Sequence, residues 1–120
     1  MKIKTQDLTG PALDWAVLHS ELSANRLPDY GQRDAEDGYR PSTDWAQGGP
    51  IIEREEISID REFVSSRVEW AAWSPAPIRD DAESFGYGPT PLVAAMRCFV
   101  ASRLGDEVDV PDELVEVAYA

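Results

Sequence analysis

The sequence predicts an α+β fold, a small antiparallel sheet with two main helices, the second largely buried. Three observations lead there. Residues 90–105, Thr-Pro-Leu-Val-Ala-Ala-Met-Arg-Cys-Phe-Val-Ala-Ser-Arg-Leu-Gly, form a helical stretch that is apolar almost all round, as a helix covered on most faces must be. Two segments before it carry the period of two expected of strands, 57–63 over its first half and 67–73 through Val68, Trp70 and Ala72. Nine Pro and eight Gly in 120 residues mark a loop-rich chain rather than a helical bundle. A chain of this length makes one domain, 1–120. Its 42% hydrophobic content is enough for a core without disulfide or metal.

The elements follow in order. Met1 to Lys4 alternates, with Met1 and Ile3 on one face of a short strand. Gly10-Pro11 starts the first helix, with Pro where a missing N–H costs nothing. Leu13, Ala16, Val17, Leu18 and Leu22 give it an apolar face bordered by Trp15, and Asn25 is the expected stop. Residues 26–41 make a long polar loop holding Tyr30 and Tyr39, of a length that is often functional or mobile. Gly48-Gly49-Pro50 then turns the chain and opens a short helix.

Ile57 to Phe63 and Arg67 to Trp73 are the strands, the second placing Val68, Trp70 and Ala72 on one face. Ser74-Pro75-Ala76-Pro77 ends it, and 78–89 read as a second loop closing in Phe85-Gly86-Tyr87-Gly88-Pro89. The core helix has Thr90 as N-cap, Pro91 at its first position and Gly105 beyond its end. Val108 to Val110 is extended, and a short helix from Asp112 to Val117 packs through Leu114 and Val117.

The formal charge is −12. That opposes direct binding to nucleic acid, whose phosphates need Lys and Arg. The acids are spread evenly, so a solvated acidic surface is the first explanation, ahead of a basic protein partner or imitation of nucleic-acid charge. No apolar run is long enough to span a membrane, and the N-terminus has no signal-like apolar stretch. A lone cysteine, Cys98, excludes an internal disulfide and suits a reduced, cytoplasmic setting.

Enzyme chemistry finds little purchase. His19 is the only histidine, and it sits on a helix without recognisable Ser and Asp partners. Cys98, among apolar residues, reads as an inert small hydrophobe. Glu53, Glu55 and Glu56, or Asp80 and Asp81, suit Mg²⁺ with a phosphate substrate, but composition alone supplies such acids. No catalytic residue, metal site or cofactor is expected.

A binding site is a better prospect. Trp45 can stack on a base, and Asp44 and Gln47 can read its edge. Tyr39 and Arg40 precede them, and Gly48 and Gly49 read first as a turn and second as donors to an anion. Phe85, Tyr87 and Thr90 stand at the other loop, near the start of the core helix. Arg97, the polar break in that helix, needs a buried carboxylate or an anionic ligand, with a salt bridge the first expectation. If these loops converge, they wall a cleft for a small anionic, nucleotide-like ligand; otherwise Trp45 anchors its loop to the core.

The stretch Ser-Thr-Asp-Trp-Ala-Gln-Gly-Gly-Pro-Ile-Ile-Glu-Arg-Glu at 42–55 resembles the NinX-type proteins of lambdoid phages. So do Thr-Pro-Leu-Val-Ala-Ala-Met-Arg at 90–97, Leu-Gly-Asp-Glu-Val-Asp-Val-Pro-Asp-Glu-Leu at 104–114 and Leu13-Asp14-Trp15-Ala16-Val17. The likeness covers the first 20 residues, 41–57 and 86–115, and leaves about 60–84 unmatched. It implies an accessory protein made in an infected bacterium and carries over no catalytic residue.

Two function classes follow. The first is a non-enzymatic protein that sequesters a small anionic, nucleotide-derived ligand, such as a host-defence signal. The second is an acidic protein-interaction module or DNA mimic that inhibits a host defence or regulatory protein. A metal-dependent hydrolase ranks below both. So much apolar helix also suits a homo-oligomer.

Overall fold

A computed structural model describes residues 1–23, 38–64, 67–74 and 84–114. Asn25, most of the 26–41 loop, residues 78–83 and Val117 lie outside these. The described elements are β1 (Lys2–Lys4), a 3-10 turn (Thr5–Asp7), α1 (Gly10–Ser23), α2 (Trp45–Arg54), β2 (Ser58–Val64), β3 (Arg67–Ser74), β4 (Ser84–Gly88), α3 (Pro91–Leu104) and β5 (Glu107–Asp109). The fold is α+β, with two antiparallel sheets where the sequence suggested one.

Helix α3 organises the molecule. Its N-cap is Thr90, whose hydroxyl accepts from the Val93 N–H at 3.1 Å, and Pro91 follows at the first position. Gly105 ends it at a φ of +89°, where a side chain would be strained. Leu92 and every residue from Ala94 to Val100 are buried. The sheet β2-β3-β4 covers one side, and α1 and α2 pack on α3 as well. Leu13, Ala16 and Val17 of α1, Ile51 of α2, Ala72 of β3 and Phe99 of α3 share one core.

The inner side of β4 is built from absence. Gly86 and Gly88 are buried against α3, and a Cβ on Gly86 would collide with the Ala94 carbonyl and the Cys98 amide. Glycine is a poor strand former, so 84–88 reads as loop from composition. Backbone-to-backbone contact with α3 outweighs that propensity and makes it a strand.

The 45–54 helix also begins earlier than its glycines suggest. Asp44 is the N-cap, accepting from the Ala46 N–H at 2.9 Å, so Gly48, Gly49 and Pro50 lie inside α2 and Glu53 is in its last turn. The proline tolerates this because the bond it lacks would go to Ala46. Both residues are exposed, leaving that carbonyl to water. Gly48 is required, because a Cβ would meet the Pro41 carbonyl and Leu92 Cδ1.

Helix α1 starts at Gly10-Pro11 as expected, but its buried face is rotated. Leu22 is 41% exposed, while Ser20 and Glu21 are buried. Each polar residue has a local answer: the Ser20 hydroxyl donates to the Ala16 carbonyl at 2.8 Å, and Glu21 binds Arg54 of α2.

The second sheet joins the ends of the described chain. β1 pairs with β5, setting Ile3 opposite Val108. The Thr5 N–H donates to Asp106 O at 2.8 Å and its hydroxyl to Gly105 O at 2.6 Å. The Met1 amine donates to Asp109, Val110 and Asp112, placing acids of the tail around a positive charge.

Candidate functional site

The residues expected to wall a cleft fall into two groups. In the first, polar atoms are consumed by the turn that leads into α2. The Asp44 N–H donates to Arg40 O at 2.8 Å, and the Arg40 N–H donates to Gln47 Oε1 at 2.7 Å. Gln47 Nε2 in turn donates to Gly38 O at 2.8 Å and Asp44 Oδ2 at 3.1 Å. Asp-x-x-Gln here acts as a helix-start device, with Gln47 fastening the loop to the first turn. Tyr39 is core, 2% exposed. Gly48 faces Leu92, and Gly49 lies within the helix. Trp45 is 54% exposed at the first helical position, so it does not anchor its loop to the core.

Asp14 secures the same turn from below. Its buried carboxylate accepts from the Ser42 N–H at 2.9 Å. Burial raises its pKa, against the opposing pull of the Ser42 bonds and the Arg40 charge.

The second group surrounds β4. The 7%-exposed Arg97 needs no ion pair of the expected kind: its Nε donates to Leu8 O at 2.9 Å and Nη1 donates to Tyr87 O. Burial lowers its pKa, with Asp7 and Glu69 pulling the other way. Gln6, unnoticed in sequence, completes the strand's outer edge. Its amide donates to Phe85 O at 3.0 Å and accepts from the Tyr87 N–H at 2.9 Å. Those are the two bonds a further strand would make, so Gln6 and Arg97 together occupy the edge. Thr90 is engaged as the α3 cap.

Phe85 and Tyr87 point the other way. Strand alternation turns Gly86 and Gly88 onto α3 and the two aromatics out, 44% and 40% exposed. Register extends the row: Trp73 is opposite Phe85, Ala71 opposite Tyr87, Asp60 opposite Ala71 and Glu62 opposite Glu69. The outer sheet face thus joins three aromatics to three carboxylates. The alternation Phe-Gly-Tyr-Gly was the sequence signal for it, masked by its likeness to a turn. By contrast, a groove of about 590 Å³ lined by Lys4, Thr5, Gln6, Asp106 and Glu107 contains none of the expected residues.

Among the described residues no group of three or more His, Cys, Asp or Glu is placed to hold a metal ion. No described helix is long and apolar enough to cross a membrane. Cys98 is buried, its thiol pushed up to about 12 chiefly by burial, and it donates to Ser84 O at 3.3 Å.

Comparison with protein families supplies the lineage. The family described as Bacteriophage P22, NinX matches residues 4–103. The chain belongs to the phage NinX family. The NinX match runs through residues 60–84, which the short motifs left unmatched, and stops just before the end of α3. Among curated proteins, nothing matches this NinX-family chain.

Proposed function

We propose that this NinX-family protein works without catalysis, as an acidic protein-interaction module that docks on a host defence or regulatory protein in the infected bacterium. The observation that carries this reading is the outward presentation of Phe85 and Tyr87 on a sheet whose other face is sealed by α3. Adjacent exposed aromatics on a rigid surface are costly to leave in water and are enriched at protein interfaces. A charge of −12 favours encounter with basic surfaces and disfavours nucleic acid.

The test is cross-linking in infected cells with a photoreactive group at position 85, against the same group at Glu53. A defined host protein captured from position 85 alone supports the module; equal labelling from both positions contradicts it.

A small anionic, nucleotide-like ligand keeps one supporting observation, the exposed indole of Trp45 at the end of the turn that also carries the exposed Arg40. Heat denaturation of protein purified from infected cells, followed by mass spectrometry of the supernatant, decides it. A stoichiometric nucleotide released by the wild type and absent from Trp45→Ala would favour sequestration over docking.

A further inference from the structure

The outer face of the β2-β3-β4 sheet has a chemistry that selects its partner. We infer that it is a docking surface for an arginine-bearing segment of a protein, guanidinium groups lying on Phe85 and Tyr87 while their charge is met by Asp60 and Glu62. This rests on the interaction-module reading and names the partner's chemistry.

The argument starts from register. Glu62 stands directly opposite Glu69, and Glu62 is exposed on the outer strand. Asp60 is two residue pairs along, the next on the same face, opposite Ala71, which is itself opposite Tyr87. With strands ~4.8 Å apart, Asp60 and Tyr87 are roughly 10 Å from each other across the sheet. An arginine side chain spans much of that distance. Its planar guanidinium stacks on an aromatic face and also pairs with a carboxylate, which the compact lysine ammonium does less well.

Charge narrows the choice of occupant. A second copy would set its own Asp60 and Glu62 against these two, repelling where it should attract. A nucleic acid meets the same repulsion. The other side of the sheet is already taken, because Gly86 and Gly88 bring α3 against it.

The experiment uses the whole protein and a peptide of alternating Gly and Arg, with Gly-Lys and Gly-Glu counterparts, followed through backbone amide shifts. The expected result is that the Arg peptide shifts Trp73, Phe85 and Tyr87. Its binding should weaken roughly tenfold or more between about 50 and about 300 mM salt. The Lys peptide should bind several-fold more weakly and the Glu peptide not at all. Phe85→Ser with Tyr87→Ser should lose most of the binding, and Asp60→Asn with Glu62→Gln most of its salt dependence, while both keep the wild-type circular dichroism.

No shifts at about 1 mM Arg peptide, shifts on another face, or unchanged binding by the folded aromatic double variant would overturn the assignment. If cross-linking from position 85 still captures a host protein, the arginine chemistry fails alone. If that capture fails too, the module reading falls with it.

Discussion

Arg54 of α2 grips Glu21 of α1 with two parallel bonds, Nη2 to Oε1 at 2.6 Å and Nη1 to Oε2 at 3.1 Å. Its Nε donates to Glu55, and Glu55 accepts from Arg103 of α3, so one chain of charges ties three helices. Both guanidiniums also lie over the Phe99 ring, at 5.6 and 5.8 Å. Removing Glu21 or Arg54 by alanine should each cost about 1–3 kcal/mol in urea unfolding, the range for charge-assisted bonds with one buried partner. The double variant should cost clearly less than the sum, with a coupling of about 1 kcal/mol or more. Strict additivity would show the contact to be energetically idle.

Two glycines separate close approach from mere helix tolerance. Gly86→Ala drives a methyl into the α3 backbone and should destabilise by about 3 kcal/mol or more, or prevent folding. Gly49→Ala sits in α2 with nothing within 4 Å of the added carbon. It should be neutral or raise stability by about 0.5–1 kcal/mol. Thermal melts should fall sharply for Gly86→Ala and hold or rise for Gly49→Ala.

Cys98 should resist alkylation in the native state. A thiol pushed up to about 12 by burial has almost no thiolate near neutral pH. Labelling by iodoacetamide should follow the unfolding curve in urea, with little reaction below the transition. Rapid labelling of the folded protein would contradict this placement in the core.

Stability should fall with acid through His19, stacked on Trp15 at 3.9 Å. Burial lowers its pKa from the ordinary 6.5, so the folded protein binds fewer protons there than the unfolded chain. Its contribution is complete above the unfolded value and is lost as pH falls through the folded one. Asp14, raised by burial, acts in the opposite sense: its contribution is present at acid pH and lost as pH rises through its folded value. Comparing wild type with His19→Phe between about pH 7.5 and 5.5 isolates the histidine. The variant should lose less stability on acidification.

Gln6→Ala should uncover the β4 edge. Loss of both amide bonds should cost about 1 kcal/mol, and the freed Tyr87 N–H and Phe85 carbonyl should promote concentration-dependent association. Light scattering at rising concentration measures this directly.

What could be read from the chain followed local rules. Thr90-Pro91 and Gly105 bounded α3 because caps act within one turn, and the β2 and β3 segments showed the two-residue period. The β1–β5 pairing could not be read, since Ile3 and Val108 meet only through the tertiary fold. Nor could the fate of Tyr39 and Gln47, whose types suit a ligand as well as they suit a core and a loop clasp. Local propensity misjudged β4 because its glycines serve a neighbour 5–12 residues away in α3 rather than the strand itself.

That strand divides the constraints on its sequence by parity. Positions 86 and 88 answer to the helix beneath, so enlarging them disturbs the fold. Positions 85 and 87 answer to the surroundings, and their side chains can be exchanged without reopening the core. A phage lineage can therefore alter what β4 presents at the odd positions while inheriting the even ones unchanged, and variation there requires no compensating repair inside the protein.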